Sequence, residues 1–190
     1  MRKLVPLLIL AAAVPLVSGC AGVFVAGAGA TFLMADDRRT AGIYVEDENI
    51  EWKAVARFNS DFPDAHVNVT SFNRKLLITG EVPTEAAKQK AGEAAKSIQN
   101  VLEVANEVSV GGNSSLTSRG NDSLITSNVK ARMVGNGKFS PNHVKVITEA
   151  GVVYLMGLVT PAEGDAAVEV ARSTSGVTRV VKVFEYIQPK

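Results

Sequence analysis

Apolar and polar positions along this chain follow one arrangement that occurs twice. From His143 to Val159 the residues read His-Val-Lys-Val-Ile-Thr-Glu-Ala-Gly-Val-Val-Tyr-Leu-Met-Gly-Leu-Val, two β-type runs about a short turn. Seventy-seven residues earlier, His66-Val-Asn-Val-Thr70 and Leu76-Leu-Ile-Thr-Gly-Glu-Val82 keep the same order, so that His66 matches His143, Val69 matches Val146 and Gly80 matches Gly157. Helical periodicity flanks both hairpins. Ile50, Ala54 and Phe58 recur every four residues, which predicts a helix from Asp47 to Phe58 whose acidic start, Glu46-Asp47-Glu48, suits the positive end of the dipole. A loop through Pro63, the hairpin with a turn at Phe72–Lys75, a helix opened by Pro83-Thr84 and faced by Ala87, Ala91, Ala94 and Ile98, and a strand over 101–110 complete the first copy. In the second copy Ile125, Val129 and Met133 carry the first helical stripe, capped at Asn121 or Asp122. Thr160-Pro161-Ala162-Glu163 is a capping box that opens the second helix through Ala167, Val170 and Ala171 to Gly176, and 177–187 is the last strand.

Each copy is therefore an α-β-β-α-β unit, and the fold class is α+β: two tandem domains, each a three-stranded mixed sheet packed against two helices. The domains span 45–111 and 120–190, with a Gly/Ser-rich linker over 112–119. Gly80 and Gly157, just after a strand and before a helix, mark a place where only glycine fits. Hydrophobic residues at 46% and charged residues at 21% of 190 agree with two small cores.

The amino terminus reads as a targeting segment. Arg2 and Lys3 precede an apolar run from Leu4 to Val17, the charge and length of a secretory signal covering 1–19. Val17-Ser18-Gly19-Cys20 resembles the lipobox of bacterial lipoproteins, which implies cleavage before Cys20 and its acylation. Cys20 is the sole cysteine, so no internal disulfide forms. Because no charge occurs from Leu4 to Ala35, an uncleaved anchor is the alternative. Residues 20–44 form the lipidated cysteine and a small-residue tether, and Ala21, where an Asp would retain such a lipoprotein in the inner membrane, points to the outer one.

The order of elements, with a glycine closing each second strand, resembles the BON domain of bacterial envelope and osmotic-stress proteins, over about 45–111 and 120–188. A lipobox before two such domains resembles the dual BON-domain outer-membrane lipoproteins. That resemblance implies anionic phospholipid binding by the second domain, enrichment at division sites, and support of outer-membrane integrity with links to the β-barrel assembly machinery.

Candidate chemistry is sparse. His66 and His143 are the two histidines, in separate modules and without a partner at ligand spacing, so the sequence assigns no metal site. No nucleophile elbow or phosphate loop occurs. The runs Glu46-Asp47-Glu48 and Asp36-Asp37 are read as a helix start and a solvated link. The expectation is a binding protein rather than an enzyme, with no cofactor, small-molecule substrate or nucleic acid.

Charge separates the copies. Residues 44–113 hold seven Lys and Arg against eleven Asp and Glu, a net of −4; residues 120–190 hold eight against six, a net of +2. Spacing residues 100° apart on the first helix of the second copy sets Ile125, Val129 and Met133 on one side and Leu124, Ala131 and Val134 on the other, with Lys130 and Arg132 bordering and Lys138 and Phe139 following. These seven residues, 124, 130–132, 134, 138 and 139, are the expected anionic-lipid surface. The same wheel on the first copy turns Trp52 and Val55 outward beside Glu48 and Glu51, which predicts an interdomain or partner contact. An adaptor for an envelope assembly or cell-wall complex, with lipid as anchor alone, is the competing reading.

Overall fold

A computed structural model describes residues 36–189; the signal segment, Cys20 and the tether to residue 35 lie outside the described residues. The elements are α1 (Ala41–Asp61), β1 (His66–Phe72), β2 (Lys75–Val82), α2 (Glu85–Lys96), β3 (Glu103–Asn106), β4 (Ser109–Val110), α3 (Leu116–Val134), a 3-10 turn (Pro141–His143), β5 (Val144–Glu149), β6 (Val152–Val159), α4 (Pro161–Arg172) and β7 (Arg179–Tyr186). In each domain the second strand is central: β2 pairs antiparallel with β1 and parallel with β3 and β4, and β6 pairs antiparallel with β5 and parallel with β7. The last strand of the first domain is broken because the Asn106 side chain turns to local partners, accepting from Val108 N and donating to Lys88 O.

Both first helices start earlier than periodicity predicts. Their caps are Thr40 and Ser115, whose hydroxyls accept from Ile43 N and Ser118 N, and the turns that follow carry no core stripe to announce them. The first turn of α3 thus occupies part of the 112–119 stretch. The remainder is tied down, since Asn113 Oδ1 accepts from His66 N and Ser114 N donates to Glu81.

Asp47 and Asp122, expected near helix starts, are buried and close the hairpins instead. The turn residues Asn73 and Arg74 both have positive φ, as do Ala150 and Gly151, the conformation of the two-residue turns that match strand twist. Such turns leave amides pointing inward. Asp47 accepts from Asn73 N, Arg74 N and Ser71 Oγ, and Asp122 accepts from Ala150 N and Gly151 N, all at 2.7 to 2.9 Å. Each helix is fixed to its own hairpin through one carboxylate.

Alternation along the central strands places two cores. Leu76, Ile78 and Val82 of β2 meet α1 and α2, and Val153, Leu155 and Val159 of β6 meet α3 and α4. The opposite faces pack on each other. Phe72 and Leu77 of one domain join Tyr154, Met156, Leu158 and Val183 of the other, giving four layers, helices, sheet, sheet, helices. Burial on both faces explains why β2 and β6 read as nearly continuous apolar runs. In this setting burial pushes the Tyr154 hydroxyl up to about 12.

Residues 36–40 form a strap across the domain pair rather than a solvated link. Arg38 makes two 2.8 Å bonds to Glu163 and donates to Leu158 O. Arg39 pairs with Asp37 and Asp47 and lies over the Phe72 ring at 4.1 Å. The Arg38 guanidinium holds the Glu163 carboxyl down at about 2.

Candidate functional site

Helix α3 sets Asp122, Ile125, Val129 and Met133 against its own sheet. Its other side follows the helical period from Leu116 through Gly120, Leu124, Ser127 and Ala131 to Val134, and all six residues are exposed. Leu124 and Val134 retain 65% and 70% of their surface in water, unusual for large side chains of a small domain and aligned on one face. The sole carboxylate of the helix is Asp122, which is buried, so its surface carries the half-buried Arg119 and the exposed Lys130 and Arg132 without a counter-charge of its own. Among the described residues the lysine ion pairs are those of Lys75, Lys145 and Lys182, so Lys130 and Lys138 are unpaired, as are Lys53, Lys88, Lys90 and Lys96 of the first domain.

Two of the expected lipid-facing residues have other duties. Phe139 is 7% exposed and belongs to the second-domain core, because the chain turns back under α3 after Gly135 and buries the ring against Val144 and its neighbours. Arg132 is exposed, but its guanidinium donates to Ser173 O, Ser173 Oγ and Thr174 Oγ1 and so closes the end of α4. Leu124, Lys130, Ala131, Val134 and Lys138 remain as surface residues.

Leu116, Arg119 and the wall formed by Val134 and Lys130 were not visible to periodicity. Lys130, Met133 and Val134 flank a groove of about 430 Å³ between the domains, faced by Tyr44 and Glu48 of α1. Lys145 lines it too, held by Glu51 at 2.8 Å. Only the pairing of the two sheets brings α1 beside the end of α3.

Trp52 does not pack on the second domain. It is 73% exposed, on a stripe of α1 that runs Tyr44, Glu48, Trp52 and Val55, and the interdomain contact expected for Trp52 and Val55 is absent because the domains meet through their sheets. No helix among the described residues is long and apolar enough to cross a membrane.

The model of the BON domain matches residues 46–112 and 121–188, the two units described above. Outer membrane lipoprotein DolP of Haemophilus influenzae is 35% identical over 184 residues, 95% of each chain. The 21 kDa hemolysin of Actinobacillus pleuropneumoniae is 37% identical over 80% of each chain, and osmotically-inducible protein Y of Escherichia coli is 27% identical over 73% of this chain and 72% of its own.

Proposed function

The chain belongs to the BON-domain family, and from that premise we propose that it is a lipid-anchored, periplasm-facing outer-membrane protein that binds anionic phospholipid through α3 of its second domain and supports envelope integrity, with enrichment at division sites. The anchor is Cys20. The observation that carries the lipid reading is the exposed face of α3, apolar at Leu116, Leu124, Ala131 and Val134, bordered by the unpaired Lys130 and free of exposed carboxylates. The Haemophilus relative, named as an outer membrane lipoprotein, supports the location.

Magnitudes fit a weak site aided by a tether. Each cation near an anionic leaflet contributes ~1 kcal/mol, and partial burial of Leu124 and Val134 roughly 2 kcal/mol together. The sum corresponds to about millimolar affinity for the free domain pair. Acyl chains that already hold the protein at the bilayer raise the effective concentration, so the helix selects lipid while the anchor retains the protein. In vesicle flotation with protein lacking residues 1–20, wild type binds anionic vesicles and releases them at high salt, whereas Leu124→Glu does not bind although its core stripe is intact. Equal flotation of folded Leu124→Glu overturns the reading.

A second reading, an adaptor for an envelope assembly such as the β-barrel assembly machinery, draws on Trp52. An exposed Trp beside Val55, bordered by Glu48, suits a protein surface better than an anionic bilayer. Loss of a partner in Trp52→Ala with flotation unchanged distinguishes this activity from lipid binding.

A further inference from the structure

At one end of the sheet-on-sheet interface the apolar contacts give way to a polar corner. His66 and Glu81 are cross-strand partners on β1 and β2, and Glu149 reaches them from the end of β5 in the other domain. His66 Nδ1 lies 3.0 Å from Glu81 Oε2 and 3.7 Å from Glu149 Oε1. Ligands of a tetrahedral ion with bonds of 2.0 to 2.1 Å stand about 3.3 Å apart, so the two spacings bracket what such an ion requires.

The duplicated architecture supplies an internal control. Seventy-seven residues after Glu81 the second copy has Leu158, and seventy-seven before Glu149 the first copy has Phe72, both buried in the interdomain apolar cluster. Two carboxylates thus replace two core side chains, against the cost of burying charge. Neither has a Lys or Arg ion partner among the described residues; Arg119, nearby on α3, hydrogen-bonds Ser114 at 3.2 Å instead. The Glu149 side chain is only 7% exposed, yet among the described residues its Oε1 accepts no hydrogen bond, while Oε2 takes the Asn68 amide at 2.7 Å. A cavity of about 470 Å³, lined among others by His66, Asn68, Arg119, Thr148 and Glu149, opens beside two of the three groups and gives an ion and its waters a route in.

We propose that His66, Glu81 and Glu149 form a site for a divalent transition-metal ion, Zn²⁺ or a neighbour of similar preference, that joins the two domains. One imidazole nitrogen with carboxylate oxygens is a donor set for such ions rather than for Ca²⁺ or Mg²⁺. Asn68 orients Glu149, since its Nδ2 donates to Glu149 Oε2 at 2.7 Å. Spacing along the chain hides this site, because the third ligand comes from the other domain.

The test uses the untagged full chain in detergent, stripped with chelator and titrated with Zn²⁺ against a chromophoric competitor, with the Co²⁺ absorption spectrum reporting geometry. Wild type binds one ion, and Zn²⁺ raises its melting temperature. His66→Ala and Glu149→Gln each weaken binding by at least about tenfold and abolish the thermal shift, while His143→Ala, at the equivalent place in the other copy, leaves the affinity unchanged. Glu149→Gln keeps size and hydrogen bonding and decides the matter if His66→Ala fails to fold. Absence of saturable Zn²⁺ binding, or undiminished affinity in folded Glu149→Gln, overturns the proposal.

Discussion

Helices α1 and α3 are the same element twice, and their two sides have diverged independently. Inward, both present an aspartate that closes a hairpin and three apolar residues one turn apart: Asp47 with Ile50, Ala54 and Phe58, and Asp122 with Ile125, Val129 and Met133. Outward, α1 carries Glu48 and Glu51 around Trp52, whereas α3 carries Lys130 beside Leu124 and Val134. A duplicated fold constrains what touches the sheet and leaves the water side open to new partners. The same holds between the sheets, where Leu158 stands in one copy and Glu81 in the other.

The largest expected effects concern what the copies share. A Cβ at Gly157 would stand 2.3 Å from His143 O, and one at Gly80 2.0 Å from His66 O, with Gly80 at φ +103° besides. Both substitutions force the first strand of the hairpin off the central one. Gly157→Val and Gly80→Val are each expected to cost more than about 3 kcal/mol, with Gly80→Val the worse for its added backbone strain. Denaturant unfolding of the two-domain protein checks this; comparable stability of either variant to wild type would mean the close approach relaxes freely.

A smaller difference separates the surroundings of the two histidines, since His143 Nδ1 lies 3.8 Å from Glu163 Oε1. In the second copy Glu163 is held by Arg38, and its carboxyl lies at about 2, below the ordinary 4.5. A lowered carboxyl contributes stability above its unfolded value and loses it as pH falls through the folded value, so the strap should weaken between about pH 4.5 and 2. Arg38→Ala is expected to lose on the order of 1 to 2 kcal/mol at neutral pH and to flatten the acid slope in that window. An unchanged slope measured by thermal unfolding from pH 5 to 2 would assign the acid loss to other carboxylates.

Much of this was legible in the chain. The repeat, the α-β-β-α-β order, the three-residue core stripes and the Thr160 capping box all follow from local periodicity and short-range hydrogen bonding, and the structure keeps the stripes and the capping box at the expected residues, while the last strand of the first copy is broken in two. What periodicity missed depends on through-space pairing. Phe139 looked like a surface anchor because it follows the helix, but the fold of the next turn buries it. Asp36 to Arg39 looked solvated because their partners Glu163 and Asp47 lie in different domains. Of the interdomain or partner contact expected for Trp52, the interdomain one rested on the sequence not saying that the domains meet through their sheets.

The smallest effect bears most directly on the outward faces. Lys130 on α3 and Lys53 on α1 are both exposed, and neither has a carboxylate partner among the described residues; Lys53 donates to Gln99 at 3.3 Å. If the second domain faces the bilayer, Lys130→Gln removes one cation from the leaflet's field and weakens binding to anionic vesicles by ~1 kcal/mol, roughly fivefold. Lys53→Gln removes the same charge from the first domain, whose residues 44–113 carry a net −4, and leaves binding unchanged. The two variants should converge as salt rises, because screening over about 8 Å at physiological ionic strength erases the exposed term first. Equal losses from both would mean that the bilayer reads the charge of the whole molecule, and the difference between the two helices would then lie in their apolar residues alone.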